Sequence, residues 1–181
     1  MTVLGVLTLS LLLAVASVAS VASDHLHESC NRTRYPAFCL RHLRPQPGSR
    51  TQLYPASLSL ETTRRMGNST VRFANNFIEN FLASADRNRS NDDYRVLDCV
   101  SDCAFALNIS VVRVKYASAV LDTDRKKARV LVRWAVGDVR AAICAEKDQN
   151  RSTALKFIAN RNKVYRKLLR ITIDLINLLK K

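Results

Sequence analysis

Most of the chain is patterned as long amphipathic helices, in which apolar residues recur at intervals of three, four or seven. The first pattern begins at Pro55 and ends at the polar run 86–93, which we interpret as a loop. The second begins near Tyr94 and ends at the short break 121–125. A third follows this break, and a fourth follows the polar run 146–153 and reaches the C-terminus.

The ends and the core of these helices are also indicated by the sequence. Ser152 or Thr153 is the predicted N-cap of the fourth helix, and Trp134 is predicted to help fill the core beside the third. The whole chain has only 4 Gly and 4 Pro, so few positions interrupt the helical patterns. Four such helices with short connections predict an all-α, up-down-up-down four-helix bundle.

An apolar leader precedes the first charged residue, Asp24. Its small-residue ending is typical of a secretory signal peptide that is cleaved near Ala22 or Ser23. We therefore predict a signal peptide over 1–23 and a secreted, extracellular mature domain over 24–181, with no membrane span after cleavage. An uncleaved signal anchor is the alternative, because the apolar run approaches membrane-spanning length.

All five cysteines lie in the mature part, and an oxidising compartment favours disulfides. Cys30 and Cys39 are too far apart for a Cys-x-x-Cys redox motif, and the histidines form no zinc pattern, so we predict a local disulfide and no metal or cofactor. An antiparallel helix pair would bring Cys99 level with Cys144. Cys103, one turn after Cys99, would reach the same neighbourhood, and the sequence alone does not rank these partners.

The mature domain carries the whole net charge of +14, from 29 Lys and Arg against 15 Asp and Glu. Such a domain is attracted to polyanions and acidic surfaces. No zinc-finger spacing or aromatic RNA-binding strand is present, so we predict no nucleic-acid partner. The cationic ending of the fourth pattern also allows a membrane-active defence protein as an alternative.

No catalytic constellation occurs at an interpretable spacing, so an enzyme is not predicted. Asp98 and Asp102 share a helix face, where a solvated or lysine-paired role is expected. Acceptor sequons for N-glycosylation lie at Asn31, Asn68, Asn88 and Asn150. Asn108 carries a fifth, inside a predicted helix.

Three segments of the mature chain resemble the plant invertase and pectin methylesterase inhibitors. The segment SCNRTRYPAFCLRHL carries that family's C-x-x-T-x-x-P-x-x-C-x-x-x-L pattern on Cys30, Thr33, Pro36, Cys39 and Leu43. The segment RVLDC, with Leu97, Asp98 and Cys99, is followed by the matching small residue Ala106. The segment WAVGDVRAAIC places Trp134, Ala141 and Cys144 at the family's third helix and fourth cysteine.

The resemblance implies a disulfide-stapled helical hairpin over 24–50, packed on a bundle over 51–181. It implies the disulfides Cys30–Cys39 and Cys99–Cys144, with Cys103 as a thiol outside both. It further implies an inhibitor of pectin methylesterase that covers the enzyme's substrate cleft in a non-covalent one-to-one complex and needs no cofactor. Nothing in the sequence demands more than a monomer. The net charge would favour electrostatic association with pectin.

Several residues are expected to mark the partner surface. Polar residues on the second and third helices are the hypothesised contacts: Asp102, Arg113, Arg133, Arg140 and Lys147. Ser101 and Ile143 stand where esterase-binding members can carry Glu and Thr. Invertase inhibition is the alternative, because Lys156 and Phe157 resemble part of a Pro-Lys-Phe motif, in a segment placed before the last helix.

Overall fold

A computed structural model describes residues 24–43, 54–84, 90–141, 150 and 152–179. The leader 1–23 and its predicted cleavage site lie outside these residues. The helices are α1 over residues 24–31, α2 Pro36–His42, α3 Pro55–Ala83, α4 Asn91–Val120, α5 Arg125–Ala141 and α6 Thr153–Leu178. Within the described ranges, no helix combines the length and apolarity needed to cross a membrane.

The long helices α3 to α6 form a four-helix bundle in which each helix packs against two neighbours, in the order α3, α4, α5, α6. Helices α3 and α6 are antiparallel, because Ser59 bonds to Thr172 near one end and Thr70 bonds to Arg161 nearer the other. The connection between α4 and α5 is short, so these two helices are also antiparallel. The predicted all-α, up-down-up-down bundle is confirmed.

Three of the helices begin with a side-chain cap, and at the start of α5 the cap is Asp124, whose Oδ1 accepts a hydrogen bond from the Lys127 N–H at 2.9 Å. At the start of α4, Ser90 Oγ accepts a hydrogen bond from the Asp93 backbone N–H, and the Asp93 carboxylate accepts one from the Ser90 N–H. With this capping box residues 91–93 are helical, so the predicted loop 86–93 is wrong at its C-terminal end. Ser152, one of the two predicted caps, accepts from the Ala154 N–H at 3.1 Å at the start of α6.

Helix α6 contributes much of the buried core. Its apolar face is fully or almost fully buried: Leu155, Ile158, Tyr165, Leu168, Leu169, Ile171, Leu175 and Ile176. The Tyr165 hydroxyl lies 3.1 Å from Ser110 Oγ, which donates to the Ala135 carbonyl at 3.0 Å. This chain of bonds joins α4, α5 and α6, and burial of the phenol raises the pKa of Tyr165.

The α1–α2 hairpin packs on α6 and is closed by the Cys30–Cys39 disulfide, which confirms the predicted staple. Both cysteines and Leu43 are fully buried. Arg34 donates to both Asp174 carboxylate oxygens, at 3.0 and 2.8 Å, and fixes the hairpin to α6. Such bidentate arginine–carboxylate pairs are geometrically specific, so they set the orientation of the hairpin.

The remaining cysteines lie in or beyond α4. Cys99 is disulfide-bonded. Its predicted partner Cys144 lies outside the described residues, so the Cys99–Cys144 pairing stays a prediction. Cys103 is a fully buried thiol on the core face of α4.

Candidate partner-binding surface

The outward side of α4 carries large apolar side chains that the bundle leaves exposed. Phe105 is 71% exposed and Tyr116 is 59% exposed, with exposed Val112 between them. These positions are seven and four residues apart, so they form one stripe along the helix. Contiguous exposed apolar side chains are typical of protein-interaction surfaces.

Trp134 on α5 extends this apolar stripe toward the neighbouring helix. It is 55% exposed, so the prediction that it fills the core is wrong. The buried positions of α5 are Ala128, Val132, Ala135 and Val139, and Trp134 precedes Ala135, about 100° around the helix from it. The Arg113 guanidinium lies 5.3 Å from the Trp134 ring centroid, a cation–π contact that connects the indole to α4.

An ion pair beneath Trp134 joins α4 to α5. Arg113 Nε lies 2.9 Å from Asp138 Oδ2, without the alignment of a hydrogen bond. Asp138 is mostly buried, and this burial raises the pKa of its carboxyl, while the nearby Arg113 charge opposes the rise without cancelling it. The ionised carboxylate therefore carries a net penalty in the folded protein.

The raised pKa of Asp138 predicts a pH-dependent stability difference. The folded protein holds this proton more tightly than the unfolded chain, so its contribution to the free energy of unfolding is fully present below the unfolded pKa of 3.8. That contribution is lost as pH rises through the folded pKa. We expect Asp138→Asn to gain stability relative to the natural protein as pH rises from below 3.8 to neutral.

Urea unfolding of both proteins across this pH range measures the difference. The variant Asp102→Asn removes the same charge from an exposed position of α4 and controls for net charge. A relative stability of Asp138→Asn that decreases toward neutral pH would show that the Arg113 attraction outweighs burial.

Charged residues are exposed on the same two helices as the aromatic side chains. Asp98 and Asp102 are exposed on α4, and Arg133 and Arg140 are exposed on α5. Ser101 is half-buried, while Ile143 and Lys147 lie outside the described residues. The structure thus brings four of the hypothesised contacts, Asp102, Arg113, Arg133 and Arg140, onto the two helices that carry the aromatic side chains. We call the set Phe105, Val112, Arg113, Tyr116, Arg133, Trp134 and Arg140 the α4–α5 surface.

Lys156 and Phe157 lie elsewhere, on the first turns of α6. The segment was predicted to precede the last helix, but α6 begins at Thr153 and includes it. The Phe157 ring packs on Phe73 of α3 at 4.1 Å between centroids, and Lys156 is exposed. Phe157 thus takes part in the packing of α6 against α3 and is 38% exposed.

A family model described as plant invertase/pectin methylesterase inhibitor matches residues 24–175. The chain belongs to this family. Comparisons with curated proteins and with solved structures gave no match. Membership in the plant invertase/pectin methylesterase inhibitor family indicates an inhibitor of pectin methylesterase or of invertase, and so a protein partner.

The aromatic residues of the α4–α5 surface were missed by the sequence analysis of this inhibitor-family chain. The sequence did contain an indication of them, because positions 105, 112 and 116 recur at helical spacing outside the apolar stripe of the same helix.

The predicted N-glycosylation sequons differ in exposure: Asn31 and Asn150 are exposed, Asn68 is half-buried in α3, and Asn88 lies outside the described residues. Among the residues described, no group of three or more His, Cys, Asp or Glu side chains is arranged to hold a metal.

Proposed function

We propose that this protein is a secreted inhibitor of pectin methylesterase, which covers the enzyme's substrate cleft through the α4–α5 surface in a non-covalent one-to-one complex. The observation that carries the proposal is the exposed stripe of Phe105, Val112 and Tyr116 on α4, together with the exposed Trp134 that α5 holds against Arg113 of α4. Aromatic residues and arginine are enriched at the centres of protein interfaces, where they contribute most of the binding energy.

The charge of the protein supports the same partner class. An excess of 14 positive charges would steer the inhibitor toward an acidic cleft, and Arg133 and Arg140 are exposed on α5. Long-range attraction of this kind mainly raises the association rate and falls with added salt. It also favours retention in an acidic pectin matrix outside the cell.

The setting of Phe157 favours the esterase over invertase as the target. In this chain the Leu-Lys-Phe segment is helical, lacks the preceding proline and has its phenyl ring packed on Phe73. Insertion of this segment into an active site would require loss of that contact. The membrane-active alternative is also weakened, because α6 would have to leave the bundle to expose its buried apolar face to a bilayer.

A paired titration tests the target. Oxidatively refolded protein over 24–181 is added to a plant pectin methylesterase and, separately, to a cell-wall invertase. We expect esterase activity to be lost at one equivalent and invertase activity to be retained. Invertase inhibition with a fully active esterase would reverse the target assignment, and activity of both enzymes at excess inhibitor would refute the proposal. Leakage from anionic vesicles at inhibitory concentrations would instead favour the membrane-active alternative.

A further inference from the structure

A basic groove lies on the opposite side of the bundle from the α4–α5 surface, between α3 and α6 beside the end of α2. It has a volume of about 680 Å³. Its charged and amide-bearing lining comes from two helices distant in sequence: Glu61, Arg64, Arg65, Asn68, Arg72 and Arg161. Four guanidinium groups against one carboxylate give this lining a formal charge of +3, from 4 minus 1.

The single carboxylate of the groove is shared between two arginines. Arg64 donates two N–H groups to Glu61, both at 2.9 Å, and Arg65 Nε donates one at 2.7 Å. These bonds lower the pKa of Glu61, with Arg64 as the largest cause. Each guanidinium carries five N–H groups, so the bonds to Glu61 orient both arginines and still leave donors for a second anion.

Arg161 comes from α6, and its guanidinium reaches across to α3. Its Nε donates to Thr70 Oγ1 at 3.1 Å, and a second nitrogen donates to Ser69 Oγ. The guanidinium also lies 5.1 Å from the Phe157 ring centroid. Because these contacts order the side chain before any ligand arrives, less conformational entropy is lost on binding.

The groove lining is periodic along α3. Glu61, Arg65, Asn68 and Arg72 are separated by four, three and four residues, so they lie on one stripe of the helix. Arg65 and Arg72 are therefore two turns apart, about 10 Å along the axis. Cations at this separation, with an amide between them, fit a chain with repeated anionic groups better than one small anion.

The chemistry of the lining favours a carboxylated sugar chain. Guanidinium forks bind planar carboxylates bidentately, and the amide of Asn68 can bond sugar hydroxyls in either direction. The Glu61 carboxylate can also accept hydrogen bonds from sugar hydroxyls, which a phosphodiester chain does not offer. Pectin freed of its methyl esters carries this combination of carboxylates and hydroxyls.

We infer that the α3–α6 groove is a binding site for an acidic oligosaccharide of the de-esterified pectin type. The choice of this sugar chain rests on the proposed function, because pectin methylesterase generates its carboxylates. The groove and the α4–α5 surface lie on different helix pairs, so both are accessible at once. Binding at the groove would thus keep the inhibitor attached to de-esterified pectin, the product of its target enzyme.

The test measures binding of a size-defined oligogalacturonate, long enough to span two helical turns, by calorimetry at fixed ionic strength. The protein is produced without N-glycosylation, because a glycan on Asn68 would lie in the groove. The variant Arg65→Ala/Arg72→Ala removes two exposed charges, and Arg133→Ala/Arg140→Ala removes the same charge from α5. We expect at least a tenfold loss of affinity for the first variant and little change for the second.

Equal losses in the two variants would overturn the site and assign binding to the diffuse net charge. Tighter binding of a DNA oligomer of equal charge would overturn the ligand class. Esterase titration of the same proteins separates this inference from the proposed function. If the groove and the α4–α5 surface are independent, Arg65→Ala/Arg72→Ala inhibits the esterase one-to-one whether or not it still binds the oligogalacturonate.

Discussion

Gly67→Ala is expected to lower the free energy of unfolding by about 2 to 3 kcal/mol, although alanine is the better helix former. Gly67 is buried in α3 where the helix passes close to α4 and α6. A Cβ at this position would collide with the Val111 side chain and lie 3.0 Å from Tyr165 Cε2. Val111 is β-branched and stiff, and Tyr165 is bonded to Ser110, so neither side chain moves aside at low cost.

Gly137→Ala is the matched control for this substitution. Gly137 lies in α5, and a Cβ there would meet nothing within 4 Å. The same change should therefore stabilise the protein by up to about 1 kcal/mol through helix propensity alone. Urea unfolding of the two variants measures the difference, and a Gly67→Ala protein as stable as Gly137→Ala would show that α3 approaches its neighbours less closely.

The helices were predictable because apolar spacing reports directly on burial. The apolar residues that recur along α4, α5 and α6 are mostly buried, among them Val100, Leu107 and Ala135. The first turn of α4 was not predicted, since its residues Asn91 to Asp93 are polar and loop-like in composition. Their helical state depends on a reciprocal cap with Ser90.

Trp134 shows where pattern analysis failed. A single tryptophan in a helical protein is usually assigned to the core because of its large apolar area. In α5 the core positions that face the neighbouring helices are occupied mainly by Ala and Val, which allow close helix approach and leave no room for an indole. The tryptophan is adjacent to that stripe, and only the packed bundle shows that it lies outside.

The basic groove was not predictable from local sequence for a different reason. Each of its charges resembles an ordinary solvated helix position, which is the usual state of such residues. Arg161 is far from Arg65 along the chain, and only the antiparallel packing of α3 and α6 brings them to one groove. Long-range arrangement of surface charge is thus a property of the fold rather than of any motif.

Trp134→Ala is expected to weaken inhibition of pectin methylesterase by about 30-fold to 1000-fold, which corresponds to the roughly 2 to 4 kcal/mol of an interface hot spot. An exposed indole held by the Arg113 cation has a large apolar area and little rotational entropy to lose on binding. Because Trp134 is more than half exposed, its removal should change the free energy of unfolding far less.

Tyr54→Ala provides the control for loss of an exposed aromatic ring, since Tyr54 is 63% exposed at the start of α3 and lies outside the α4–α5 surface. Inhibition constants for both variants, with urea unfolding to verify the fold, separate loss of contact from loss of structure. Full inhibition by a folded Trp134→Ala protein would show that the indole is not part of the interface. The double charge reversal Arg133→Glu/Arg140→Glu then tests whether charge places the partner at α4–α5, with Arg65→Glu/Arg72→Glu on α3 as the control for net charge. Association that is slower for the α5 variant than for the α3 variant supports this surface, and equal association rates exclude it.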